Sequence, residues 1–225
     1  TNNKEYRKLA IYWNANNYER LKNYTKAREL YNTFLRNYPK DSYVPRIYNS
    51  FINISLNNNN LPEAKKYLTN SLKNFHNNRY TELSLKSYLR KALKLKNKTE
   101  TYYAISELDK IYPKYRHDFV LSWYMWAAEE LGDTETRDKY IMKSLLESKN
   151  PFYVKGALSL ATDEMINNVS QSNTYYLNEA KKYYADSNYT QTMQMLDKMQ
   201  FIDYIVTKKE DNLVKEARAI AKEIF

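Results

Sequence analysis

The sequence predicts an all-α chain, on three observations. Only two glycines and five prolines occur in 225 residues, too few for the tight turns that a β-sandwich needs. Apolar residues recur at helical spacing, as Ala27, Tyr31, Phe34 and Leu35 do within NYTKARELYNTFLRNYPKDSYVPR, residues 23–46. The same spacing returns along the chain, so helices are expected to pair as repeated hairpins.

The first hairpin, 4–39, places Ile11, Ala15 and Tyr18 on one helix, turns at Lys22-Asn23, and places Ala27, Tyr31 and Phe34 on the next, ahead of Pro39. Small residues suit the close crossing of two helices, and large ones fill the space between successive hairpins. The second, 43–76, has Leu56 before the Asn57–Asn60 run and Ala64, Leu68 and Leu72 after it. Asparagine tolerates the left-handed conformation and so ends helices in a chain nearly free of glycine. The third, 80–113, aligns Tyr88, Ala92 and Leu95, then Ala104, Leu108 and Ile111, and closes at Pro113. The fourth, 117–150, keeps Leu121, the turn Gly132-Asp133, Ile141 and Leu145, but has Met125 and Arg137 where small residues are expected. Residues 151–172 read as an irregular helical segment with Pro151 in a first turn. A fifth hairpin, 174–200, carries Tyr176, Ala180 and Tyr183, the turn Ser187-Asn188, then Tyr189 and Leu196, and a closing helix follows over 208–225. Turn markers Tyr24, Leu61, Thr101 and Thr134 stand 37, 40 and 33 residues apart, and Tyr189 follows 55 later.

These columns resemble the tetratricopeptide-repeat family over nearly the whole chain. The resemblance implies a right-handed superhelix of about five degenerate hairpins plus a C-terminal helix, a single α-solenoid over 1–225. The segment FLRNYPKDSYVPRIY, Phe34–Tyr48, is similar to the F-L-x-x-Y-P-x-S pattern of bacterial envelope repeat proteins, including outer-membrane assembly lipoproteins and the helical scaffolds of lytic transglycosylases. That implies a bacterial cell-envelope setting, periplasmic or tethered to the outer membrane; a cytoplasmic setting is the alternative. Membrane association is expected only through an anchor outside this sequence, because the longest apolar run, FVLSWYMWAA, is too short to span a bilayer.

Little in the chain points to chemistry. Cysteine is absent and only His76 and His117 are present, so thiolate catalysis is excluded, histidine-based nucleophiles have little to build on, and no metal site or cofactor is expected. Gly132 reads as a hairpin-turn residue and Gly156 as a close helix contact. Glu129-Glu130 and Asp163-Glu164 are adjacent on helices and do not face one another, so they read as solvated faces. Glu147-Ser148 lacks the follow-up segment of the transglycosylase catalytic domain. The chain is therefore expected to be a non-enzyme. Five N-x-S/T sequons, at Asn23, Asn53, Asn97, Asn168 and Asn188, are little more than an Asn-rich composition supplies.

Charge gives direction. Residues 1–112 hold 21 Lys and Arg against 9 Asp and Glu (+12), and residues 113–225 hold 15 against 17 (−2). A basic front half favours acidic partners: a peptide, an anionic surface or nucleic acid. In RYTELSLKSYLRKALKLKNK, residues 79–98, Leu85, Tyr88, Leu89, Ala92 and Leu95 form an apolar stripe, and Lys86, Arg90, Lys94 and Lys98 step by four beside it. The resemblance implies that the first helix of each hairpin lines a concave groove. It also implies that Lys86, Arg90 and Asn16 match a clamp for a peptide's C-terminal carboxylate. The clamp departs at Tyr12, where Lys is expected, and at Ser50, where Asn is expected although Asn49 is adjacent. The expected partner is a protein or peptide segment, acidic in character, held in a groove of Tyr12, Asn16, Asn49, Asn53, Lys86 and Arg90, with Trp123 and Trp126 as candidate exposed aromatic anchors. Glycan binding through exposed tyrosines and nucleic-acid binding are the alternatives. Nucleic acid is the less favoured, since Tyr18, Tyr31, Tyr88 and Tyr183 are needed for packing.

Overall fold

The structure is a computed structural model that describes residues 2–112, 117–200, 202, 204 and 210–224. The expected stop at Pro113, the start of the closing helix at 208 and 209, and Phe225 lie outside the described residues. Among those described, regular structure is wholly helical: α1 Asn2–Arg20, α2 Tyr24–Asn37, α3 Val44–Asn57, α4 Leu61–Phe75, α5 Arg79–Lys94, α6 Lys98–Ile111, α7 His117–Leu131, α8 Thr134–Glu147, α9 Pro151–Leu158, α10 Asp163–Ala185, α11 Tyr189–Lys198 and α12 Asn212–Ile224. The all-α expectation is met. No described helix is long and apolar enough to cross a membrane. The chain divides into two compact units, Thr1–Pro113 and Lys114–Phe225, and the +12 of the front half belongs to the first.

One turn is used five times. The residue before the turn asparagine or aspartate is left-handed: Lys22 (φ 59°), Asn59 (φ 58°), Lys96 (φ 52°), Gly132 (φ 67°) and Ser187 (φ 56°). The next residue donates its N–H five residues back, as in Asn23 to Tyr18 O (2.9 Å), Asn60 to Ser55 O (2.9 Å) and Asn97 to Ala92 O (2.9 Å). This 6→1 bond is the Schellman closure of the preceding helix. The side chain of that same residue then accepts from the third N–H beyond it, capping the following helix: Lys26 N to Asn23 Oδ1 (3.2 Å), Glu63 N to Asn60 Oδ1 (3.1 Å), Glu100 N to Asn97 Oδ1 (3.1 Å), Thr136 N to Asp133 Oδ1 (3.4 Å) and Gln191 N to Asn188 Oδ1 (3.3 Å). One residue closes one helix and opens the next, so two or three residues suffice to reverse the chain. Three of the sequons, at Asn23, Asn97 and Asn188, are this turn with threonine in the second helical position.

The turn corrects the register of the third hairpin. Its second helix starts at Lys98, not at the marker Thr101, so the starts Tyr24, Leu61, Lys98 and Thr134 are 37, 37 and 36 residues apart. Counted from the cap residue, the fourth position is small in four of the five hairpins (Ala27, Ala64, Thr101 and Thr192, all buried) and is Arg137 in the other. The eighth is large and buried in all five: Tyr31, Leu68, Ile105, Ile141 and Leu196. Eight positions before the cap stand Ala15, Ile52, Leu89, Met125 and Ala180, again buried. Leu95, placed on the apolar stripe by the sequence, is instead the C-cap of α5 and 47% exposed. Gly156 makes no close contact either: a methyl group there would meet nothing within 4 Å.

In the first unit α1–α2, α3–α4 and α5–α6 form antiparallel pairs, and α3 and α5 pack directly on one another. Tyr12, Ala15, Ala27, Tyr31, Phe34, Ile47, Phe51 and Ile54 make the front core. Successive second helices are tied by a repeated ion pair. Arg28 meets Glu63 in a fork, Nη1 to Oε1 at 2.7 Å and Nη2 to Oε2 at 2.8 Å. One repeat on, Lys65 meets Glu100 at 2.7 Å. Each carboxylate stands three residues after its cap asparagine, and each cation five after its own. Ser55 also donates to Glu63 (2.8 Å), and Tyr88 donates its hydroxyl to Glu100 (2.8 Å).

The second unit builds α7–α8 and α10–α11 in the same way. The expected irregular stretch resolves into the short α9, which packs on α7 and α8, and the early part of the 23-residue α10. Its polar centre is Gln200, whose backbone N–H and C=O pair reciprocally with the Asn173 amide (2.7 Å each). The Gln200 side chain donates to Ser148 O and accepts from Lys149 Nζ (2.6 Å). Burial lowers the Lys149 pKa below the ordinary lysine value, yet the ammonium keeps two acceptors, since Met199 O lies at 3.1 Å. These bonds hold the end of α11 against the α8–α9 connection.

The shared turn makes two substitutions move stability in opposite directions. Asn97→Ala removes a cap and lowers unfolding free energy by about 1 kcal/mol, whereas Lys96→Gly relieves a left-handed residue and raises it by about 1 kcal/mol. Urea titrations of both variants check this, and a loss of stability in Lys96→Gly contradicts the strained-turn account. The Arg28 fork, ahead of the opposing effect of burial, holds the Glu63 pKa below its ordinary 4.5. A depressed folded-state value means stability that is present above pH 4.5 and lost as pH falls through the lower folded value. Glu63→Gln should cost about 1 kcal/mol at pH 7, with the difference from wild type shrinking in denaturation curves taken below pH 4.5; a pH-independent difference refutes the linkage.

Candidate functional site

The face offered by the first helices of the front unit is built in three layers. The uppermost joins Trp13 of α1, Arg46 of α3 and Tyr80 of α5: the Arg46 guanidinium lies 5.8 Å from the Trp13 ring, 5.7 Å from Tyr80 and 5.3 Å from Tyr12. The middle layer joins α3 to α5 through Asn49, whose amide donates to Ser84 Oγ at 2.8 Å and accepts from Asn53 at 3.2 Å. The lowest is a cleft of about 530 Å³ lined by Glu19, Asn53, Leu56, Asn57, Ser87, Arg90, Lys91 and Lys94. On a helix of 3.6 residues per turn, positions 46, 49, 53 and 57 share a face, as do 80, 84, 87, 91 and 94, which is why these side chains converge.

The cleft sits at the C-terminal ends of α1, α3 and α5, where the helix dipole favours cations. Three cations stand against one carboxylate. Lys91 Nζ bonds Asn59 Oδ1 at 2.6 Å, and Glu19 accepts the Tyr31 hydroxyl at 2.7 Å. Arg90 and Lys94 are exposed and have no carboxylate partner among the described residues. Leu56, buried, provides an apolar floor.

Of the residues predicted for the groove, Asn53 and Arg90 meet in this cleft. Asn49 stands one layer above, with one amide hydrogen on Ser84 of α5 and its carbonyl accepting from Asn53 of α3. Asn16 is half-buried on α1. Tyr12 corrects the prediction: it is 0% exposed, packed among Tyr31, Phe34 and Tyr43, and so presents nothing to a ligand. Lys86 is drawn elsewhere. Its ammonium pairs with Glu82 at 2.5 Å and lies 5.8 Å from the Tyr112 ring, because it falls a third of a turn away from the Tyr80–Lys91 face. In the second unit Trp126 is 46% exposed, whereas Trp123 is partly buried with its ring 4.7 Å from Phe119.

Trp13, Arg46 and Tyr80 were missed. Their spacing of 33 and 34 residues, close to the repeat period, was the signal available. A metal centre is not among the groupings found: the described residues hold no cluster of three or more His, Cys, Asp or Glu able to take one. His117 instead faces Glu147 at 3.2 Å. Compared with known protein families and with characterised proteins, the chain matches none.

Tyr12 carries one further consequence. Its hydroxyl is buried without a hydrogen-bond partner, and burial pushes its pKa up to about 12. An unsatisfied buried hydroxyl costs about 1–3 kcal/mol. Tyr12→Phe is expected to raise unfolding free energy by about 1 kcal/mol in chemical denaturation; destabilisation shows that the hydroxyl has a role in the fold.

Proposed function

We propose that the chain is a non-catalytic binding scaffold whose front unit takes an acidic protein or peptide segment on the face of α1, α3 and α5. The observation that carries this reading is the pair of unpartnered cations, Arg90 and Lys94, in a cleft that also offers Asn53 and Asn57 as hydrogen-bonding groups and Leu56 as a floor. A carboxylate placed there gains charge-assisted hydrogen bonds from a guanidinium with a rigid donor fork. The surrounding charge of the unit raises encounter rates with acidic partners.

On this reading the chain works as repeat scaffolds of the tetratricopeptide kind do, by presenting the first helices of successive hairpins. The Phe34–Tyr48 segment supports a bacterial envelope setting, through its resemblance to envelope repeat proteins. Both parts stand or fall with the identity of the partner.

Anisotropy titration with a fluorescein-labelled peptide of alternating glutamate and glycine provides the test. Binding at about 150 mM salt should weaken about tenfold in Arg90→Ala/Lys94→Ala, and stay unchanged in Lys86→Ala, whose ammonium is already paired. Equal affinity for the corresponding lysine–glycine peptide, or no response to the double substitution, overturns the proposal.

A further inference from the structure

Arg46, like Lys91 in the cleft, is half-buried on this face rather than free in solvent. Three aromatic rings surround it within 6 Å, and no carboxylate among the described residues neutralises it. Rings attract the guanidinium without taking up its five N–H donors, which remain for a ligand. Trp13, at 46% exposure, keeps one side of this group open to a ligand.

We infer that Arg46 is a second anion subsite, so that the face grips an acidic segment at two points, Arg46 at one end and the Arg90–Lys94 cleft at the other. This rests on the reading of the cleft given above and specifies its ligand. Arg46 and Asn57 are eleven residues apart on α3, about 16 Å at 1.5 Å per residue. An extended peptide covers that distance in about five residues at 3.3 Å each. The layer between the subsites is polar. Asn49 commits one amide hydrogen to Ser84 of α5 and Asn53 commits one to Asn49 along α3 itself, and each retains another. Such groups serve an extended backbone, whose N–H and C=O are unpaired, and not a helix, whose own are satisfied. The ligand is therefore an extended segment with two acidic groups about five residues apart, the upper one accompanied by an apolar side chain that covers Trp13.

Calorimetric titration of the intact chain with glycine–serine peptides bearing two glutamate doublets tests this. Doublets centred five residues apart should bind about tenfold more tightly than a single doublet, or than doublets centred two or ten residues apart. Arg46→Gln should remove that gain and leave the single-doublet affinity unchanged, with helicity by circular dichroism as the folding control. Spacing dependence in the unsubstituted chain does not depend on how the variant folds. If Arg90→Ala/Lys94→Ala weakens every peptide while spacing and Arg46→Gln have no effect, the second subsite is wrong and the cleft stands. If Arg90→Ala/Lys94→Ala leaves every peptide unchanged, the cleft reading fails as well. Tighter binding of oligothymidylate than of any peptide at about 150 mM salt overturns both in favour of nucleic acid.

Discussion

The fused turn is the constraint from which the rest follows. An asparagine or aspartate that both donates the Schellman bond of one helix and caps the next leaves no slack between them. The phase of each second helix is then set relative to its first. This is why one counting frame places Ala15, Ile52, Leu89, Met125 and Ala180 in the interior and, on the other side of the turn, Tyr31, Leu68, Ile105, Ile141 and Leu196. Burial of these side chains contributes roughly 1.5–3 kcal/mol each for the larger ones. Without the turn's phase they would be a set of amphipathic helices lacking a common register.

The same phase positions the carboxylates. Glu63 and Glu100 sit in the first turns of α4 and α6, where the helix dipole already favours them, and there they meet Arg28 and Lys65 from the preceding hairpin. The second helices are thereby bound to one another by ion pairs. The first helices are bound by packing of α3 on α5 and by the Asn49–Ser84 hydrogen bond. That division leaves Arg46, Arg90 and Lys94 on the first helices available for a ligand, and the binding face of the unit follows from it.

Helices were legible in the sequence because burial in a hairpin demands a 3.6-residue period, and five hairpin turns were legible because glycine is so scarce that asparagine had to make most of them. The third turn was misplaced by three residues because a slip of three is close to one helical turn. Thr101 and Ala104 both offer a small buried residue, and Leu95 can stand in for Ala92 on paper. Only the cap at Asn97 breaks the tie. The groove was legible in part. Asn53 and Arg90 were identified, but the stripe Lys86–Arg90–Lys94 advances by four on a helix of 3.6 per turn and drifts by about 40° at each step, so its first member points at Glu82. Tyr12 was misread because a tyrosine can be a core residue or a surface one, and ring packing against Tyr43 and Phe34 is invisible before the hairpins are assembled. Arg46 was passed over because an isolated basic residue carries no pattern of its own; its meaning comes from Trp13 and Tyr80, each about one repeat away.

A surplus of twelve positive charges in the front unit is not by itself a binding site, since a Lys- and Asn-rich chain presents solvated cations everywhere. Eight of the unit's nine acids have assigned partners. Glu5 and Asp41 hold Lys8, Glu29 holds Lys26, Glu63 holds Arg28, Glu82 holds Lys86, Glu100 holds Lys65 and Glu107 holds Lys110. Glu19 reaches the cleft but accepts a hydrogen bond from the core hydroxyl of Tyr31. The acids thus neutralise the second helices, the hairpin ends and the flank of α5. Arg46, Arg90 and Lys94 are left uncompensated on one face that spans three helices. Cations without a carboxylate ion pair among the described residues also stand elsewhere in the unit, at Lys22, Arg36 and Lys73 for example, so what marks these three is their setting: Arg46 lies among three rings, and Arg90 and Lys94 line the cleft. A ligand that brings its own carboxylates fits that setting.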